Sequence, residues 1–185
     1  MARIDPPALD DLSAEQKALR DLIMKQRSTG EARGPFGILL HAPDLGSRVA
    51  DFVNYLLSDT RLSHRLKELA IITVARRYTA QYEWWIHARR AERHGLEDEI
   101  IEAIFEGSKP TFADKEGDVV HEVASALASD GQMGDELYQK AEGLFGKAGM
   151  VELVTIVGLY MMIAVFLNTF QVDVPDPNAK LLKEI

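Results

Sequence analysis

Residues 67–95 read KELAIITVARRYTAQYEWWIHARRAERHG, and they decide the fold. After Glu68 the stretch is apolar nearly all round, at Leu69, Ala70, Ile71, Ile72, Val74 and Ala75. A helix apolar on every side belongs in an interior. Tyr78 to Gln81 interrupt it. The next segment carries Glu83, Trp84, Trp85 and His87 within five residues and ends at Gly95, with His94 near its favourable C-terminal end. Glu83 and His87 are four apart, so their side chains share one helical face. The stretch therefore reads as a central antiparallel helix pair, one helix buried and opened by a glutamate, the other pairing glutamate with histidine among aromatics.

Outward from this pair the periodicity stays helical. Ser13 and Gln16 form a capping box for a helix with Leu19, Leu22 and Ile23 on its inner stripe. Residues 28–37, STGEARGPFG, have loop composition. A short apolar piece, Ile38 to His41, stops before Pro43. A helix beginning at Ala42 or Asp44 carries Leu45, Val49, Phe52, Val53, Leu56 and Leu57. Ser63 is placed to cap the central helix. Downstream, Ile100, Ile101, Ile104 and Phe105 mark a short helix. Thr111 is expected to cap the next one, with Asp114 as its third-position carboxylate, over Val119, Val120, Val123, Ala124 and Leu127. Leu137 to Phe145 form an amphipathic helix, and residues 149–170 a long apolar one. No alternation argues for a strand. The expected organisation is an N-terminal arm at 1–12, one all-α domain at 13–172, and a Pro-interrupted tail at 173–185 that packs on a neighbour or stays mobile. A short echo links VELVTIVGLY, from Val151, to KELAIITVAR, from Lys67; it suggests two related hairpins.

Composition bounds the function. The chain has 185 residues, 46% of them apolar, which suits one domain with a real core. Net charge is −8, which argues against nucleic acid and anionic membranes as partners, since phosphate neutralisation needs clustered cations. There is no cysteine, so a disulfide, a thiol nucleophile and thiol peroxidase chemistry are excluded. The segment MARIDPPALDDL shows no apolar core of a secretory signal, and a cytoplasmic location is expected. From Leu153 to Val172 no residue is charged, a length able to span a bilayer. Thr155, Asn168, Thr169 and Gln171 dilute it, and no Lys/Arg cluster flanks it, so a buried or subunit-interface helix is expected.

The run ELAIITVAR after Arg61 and Leu62, followed by YEWWIHARRA and HGL, resembles the carboxymuconolactone decarboxylase family, within the alkylhydroperoxidase D-like superfamily. The upstream GPFGILLHAPDLGSRVADFVNYL is similar as well. In the redox branch a glutamate, a Cys-x-x-Cys pair and a histidine recur. By spacing these fall on Glu68, on Ala80 and Glu83, and on His87, so both thiol positions are lost here. The resemblance implies an alkylhydroperoxidase D-like helical bundle that assembles as a homo-oligomer, trimer or hexamer. It also implies a cofactor-free, metal-free lyase that decarboxylates a small carboxylated lactone, such as 4-carboxymuconolactone, in aromatic catabolism.

Loss of CO₂ from such a lactone needs a held carboxylate, a stabilised dienolate and a proton delivered to carbon. His87 can supply the proton. Glu83, one turn earlier, is expected to fix its tautomer, and Glu68 to orient it or relay the proton. Tyr82, Trp84 or Trp85 would exclude water; of the adjacent tryptophans one is expected in the core and the other at the pocket. Arg76, Arg77 or Arg48 can hold the substrate carboxylate, and His41, in the apolar upstream segment, joins the candidates. His64, His94 and His121 are expected to be structural or solvated. The run RRAERH, residues 89–94, reads as a solvated or intersubunit face. The competing readings are a surface Glu–His pair, a metal site built from the two carboxylates and the histidine, and a member acting on another lactone or acid or binding it without catalysis.

Overall fold

The computed structural model describes residues 2–26 and 32–184. Among them are eight α-helices and no strand: α1 Ala14–Gln26, α2 Pro35–Leu39, α3 Pro43–Leu57, α4 His64–Arg77, α5 Gln81–Arg93, α6 Asp98–Phe105, α7 Lys115–Asp130 and α8 Asp135–Phe170. The all-α expectation holds, and α4 is the element around which the others pack. Ser63 caps it as expected, its Oγ accepting from the Leu66 N–H at 3.3 Å. Every residue from Leu66 to Arg76 is buried, because α5, α7 and α8 surround the helix. Val119, Val120, Val123 and Ala124 of α7 and Leu153, Ile156 and Val157 of α8 are buried in the same core. Each large aliphatic chain buried this way contributes about 1.5–3 kcal/mol. Even Lys67 is drawn inside, its ammonium donating to the Ser58 carbonyl. Burial pushes its pKa down.

The capping box of α1 is present, with Ser13 N–H donating to Gln16 Oε1 at 2.8 Å and Gln16 N–H to Ser13 Oγ at 3.3 Å. α8 is one helix interrupted at Gly146, whose φ of 65° and ψ of 173° separate the amphipathic first part from the apolar second. By length and composition this helix could cross a membrane. Its Leu153, Ile156, Val157, Tyr160, Ile163, Ala164 and Leu167 are buried in the interior, while Val151, Val154, Met162 and Val165 form an exposed stripe.

Three local expectations change. Pro35 opens α2 as a helix N-terminal proline inside the stretch read as loop; residues 28–31 of that loop lie outside the described part. Asp114, not Thr111, caps α7: its Oδ1 accepts from the Gly117 N–H at 2.7 Å, and Arg65 holds its other oxygen at 3.0 Å. The tail is pinned to its own chain. Gln81 brackets Leu182 with two bonds, 2.9 Å to its carbonyl and 2.8 Å from its N–H, and Leu182 is buried. Lys180 reaches Glu102 at 2.7 Å, and Arg89 reaches Asp176 at 3.0 Å. The arm lies against the end of α8, where Arg3 N–H donates to the Phe170 carbonyl at 2.9 Å.

Candidate functional site

Glu68 sits in the second turn of α4 and His87 in the second turn of α5. The helices are antiparallel neighbours, so residues nineteen apart in sequence meet. His87 Nδ1 and Glu68 Oε2 are 2.6 Å apart, both side chains almost fully enclosed. Burial alone would raise the Glu68 pKa. The histidine, Arg90 and His94 outweigh it and hold the carboxyl below its ordinary range. An ionised carboxylate can only accept, so Nδ1 carries the proton and Nε2 is the nitrogen left to a bound molecule. Tyr160 of α8 stands edge-on to the imidazole, with centroids 4.9 Å apart and an interplanar angle of 80°. The ring is thus clamped by Glu68 on one side and Tyr160 on another.

His87 opens on a cavity of about 450 Å³ bounded by α5, α8, α2 and α1. Tyr82, Trp85, Ile86 and Tyr160 supply its aromatic and apolar wall. Arg33, Arg89, Arg90 and Arg93 make it strongly cationic. Arg90 Nε lies 3.7 Å from Glu68 Oε1. Arg89 packs over the Trp85 ring at 4.4 Å and pairs with Asp176. Arg93 donates to the Arg89 carbonyl at 3.0 Å and meets no carboxylate among the described residues. The combination can seat a small acid with a flat apolar body.

Gly34, just before α2, shapes this wall. Its φ is 58°, and a Cβ there would lie 2.3 Å from the Tyr82 ring. Tyr82 and Arg33 also line a second hollow of about 680 Å³ beside the N-terminal arm.

Glu83 behaves differently from expectation. It is on the face of α5 that carries His87, yet neither carboxylate oxygen has a hydrogen-bond partner. It is enclosed to 1% exposure, and burial pushes its pKa well above the carboxyl range. It therefore does not set the tautomer of His87; Glu68 does. Trp84 is in the core, 5.6 Å from Phe105, while Trp85 lines the cavity.

The other candidates lie elsewhere. Arg76 and Arg77 face a separate cavity on the α7 side of α4. Arg48 is exposed and bonds the Asp44 carbonyl one turn back. His41 is exposed, its Nε2 2.8 Å from the Asp5 carbonyl. Sequence reasoning missed Arg33, Arg89, Arg90, Arg93 and Tyr160. The α5 arginines were findable: Tyr82, Ile86, Arg89 and Arg93 recur at helical spacing, and Arg90 lies three after His87. Nothing local flags Arg33 or Tyr160. Among the described residues no group of three or more His, Asp or Glu side chains is arranged to hold a metal ion.

Comparison with known proteins adds the following. The chain matches the Carboxymuconolactone decarboxylase family over residues 43–124, which spans α3 to the middle of α7 and includes Glu68, Glu83 and His87. The fold is similar to the crystal structure of an alkylhydroperoxidase AhpD core, an uncharacterized peroxidase-related protein from Ralstonia eutropha JMP134. The TM-score is 0.79 at 14% identity, over 95% of this chain and 93% of that one. No match was found among curated proteins. The chain is thus similar to the Carboxymuconolactone decarboxylase family from α3 to the middle of α7, and it shares the helical fold of an alkylhydroperoxidase AhpD core.

Proposed function

We propose that the chain is a lyase that decarboxylates a small carboxylated lactone or a closely related acid, with the Glu68–His87 dyad at its reacting centre. One observation carries this reading: a buried, oriented histidine opens on a cavity lined by four arginines. The substrate carboxylate sits against Arg93 or Arg33 and loses water as it enters. The bond to CO₂ breaks, and its electron pair moves into the lactone as a dienolate. Arg90 and Nε2 of His87 stabilise the developing charge, and His87 delivers a proton to carbon. Glu68 holds the imidazole in position and offsets the charge it carries as imidazolium. A thiol route is closed, since the positions corresponding to redox cysteines hold Ala80 and Glu83.

The test uses 4-carboxymuconolactone with purified protein, following CO₂ release and the ultraviolet change of the lactone. Turnover is expected, with a fall of about 10²–10⁴-fold in His87→Ala. Undiminished turnover in that variant would remove the dyad from the reaction, and no release from the wild type would remove the substrate class.

The exposed α8 stripe, Val151, Val154, Met162 and Val165, supports a homo-oligomer. Light scattering after gel filtration is expected to give a multiple of the chain mass and a smaller species for Met162→Glu. A wild-type monomer would end that proposal.

A further inference from the structure

The second cavity on α4 is unused by this reaction. It encloses about 510 Å³ between α4, α7 and the connection from α6, and shares no lining residue with the His87 cavity. Arg76 and Arg77 project into it from the last turn of α4, where cations favour the helix dipole. That preference accounts for positive charge at the helix end, but not for how the groups are left. Arg76 is 7% exposed; its Nη1 donates to the Lys183 carbonyl at 3.0 Å, and its Nε is buried with no partner. Arg77 Nε is held only by Ser129 Oγ, at 3.1 Å. Neither guanidinium meets a carboxylate among the described residues. His121 also lines the cavity, with Nδ1 buried and unpartnered. Its surroundings are Phe112, Lys109, Asp118 and Glu122; burial and Lys109 together hold its pKa down. Glu122 is the single lining carboxylate, and it is taken by Lys140 at 2.9 Å and Lys109 at 3.5 Å. Ile104 and Leu137 supply an apolar floor.

A buried donor without a partner costs about 1–3 kcal/mol, and more when charged. Arg76 Nε is such a group, and beside a second guanidinium with no carboxylate partner, in a chain of net charge −8, it requires an explanation. An anion supplies it: an organic acid placed here would accept from Arg76 Nε and Arg77 while its body covers Ile104 and Leu137. We propose that this cavity is a second binding site, distinct from the His87 cavity, for a small organic monocarboxylate with an apolar body.

The probe is benzoate, titrated into the full chain while the His121 imidazole is followed by NMR and assigned with His121→Gln. A saturable His121 shift is expected, weakened about tenfold in Arg77→Gln, which corresponds to about 1.4 kcal/mol. Arg77 is chosen because its loss leaves the bond from Arg76 to the tail intact. Arg90→Gln, in the other cavity, is expected to leave the His121 titration unchanged. No saturable shift, or the same affinity in Arg77→Gln, would overturn the site. Inorganic phosphate binding as tightly as benzoate would overturn the assignment to an apolar acid.

Discussion

Glu68 and Glu83 are the same residue type, lie on adjoining helices and are equally enclosed, at 2% and 1% exposure. They end in opposite states. Glu68 has His87 at 2.6 Å and Arg90 at 3.7 Å, and it is held ionised. Glu83 has no hydrogen-bond partner, and it is held protonated. Burial is common to both, so it cannot decide the charge; the neighbours do. One glutamate is built to orient and stabilise a cation. The other keeps a proton in a place where a carboxylate would be too costly to desolvate.

The largest expected effect falls on the charged member. Glu68→Gln keeps the shape but can no longer demand a proton on Nδ1, so the proposed decarboxylation should fall about 10²-fold. Undiminished kcat in that variant would break the contrast at its catalytic end. Arg90→Gln removes the second charge beside Glu68. Carboxyl-carbon NMR should then show the Glu68 pKa rising toward its ordinary value, and turnover dropping about three- to tenfold; an unmoved titration would leave His87 as the sole stabiliser.

The smallest effect is on stability, at Glu83. A folded pKa raised above the unfolded one means that the native state keeps a proton the unfolded chain releases. Stability then declines as pH rises above the ordinary carboxyl range. Glu83→Gln should remove that decline and raise Tm at pH 7–8, by roughly 2–4 °C for each kcal/mol of desolvation relieved. Below about pH 4, where both states are protonated, the two proteins should melt together. A Tm difference independent of pH would mean that Glu83 titrates alike in the native and unfolded states.

The fold was legible where the signal was local or strongly periodic. The apolar run from Leu69 to Ala75 identified the central helix because only a surrounded helix can be apolar on every side. Ser13 with Gln16, and Ser63 three residues before Leu66, identified helix starts because those contacts span a single turn. The site was half legible. Spacing and family resemblance pointed to Glu68 and His87, but i,i+4 logic paired His87 with Glu83. The actual partner comes from the neighbouring helix, which no periodicity encodes. The arginines failed for a related reason. Arg76 and Arg77 are close to Glu68 in sequence but emerge at the far end of α4, toward α7, whereas Arg33 reaches the cavity from the segment before α2. The tail misled because its prolines and charges resemble a linker, while Gln81 and Arg76 satisfy its backbone from outside. The echo between VELV and KELA was also informative in part. Glu152 recurs at the position of Glu68, but it accepts from the Arg61 backbone at 2.9 Å and side chain at 3.0 Å, so it fastens a turn and has no histidine.

The contact between Gly34 and Tyr82 carries a consequence for the space beside His87. Because a single methyl at position 34 would collide with the phenol, the missing side chain works as a size gauge for the chamber next to His87. Any larger residue would displace the ring, which stands between that chamber and the hollow beside the arm, without touching either member of the dyad. The shape of that chamber can thus drift through one codon, while the Glu68–His87 pair stays as it is.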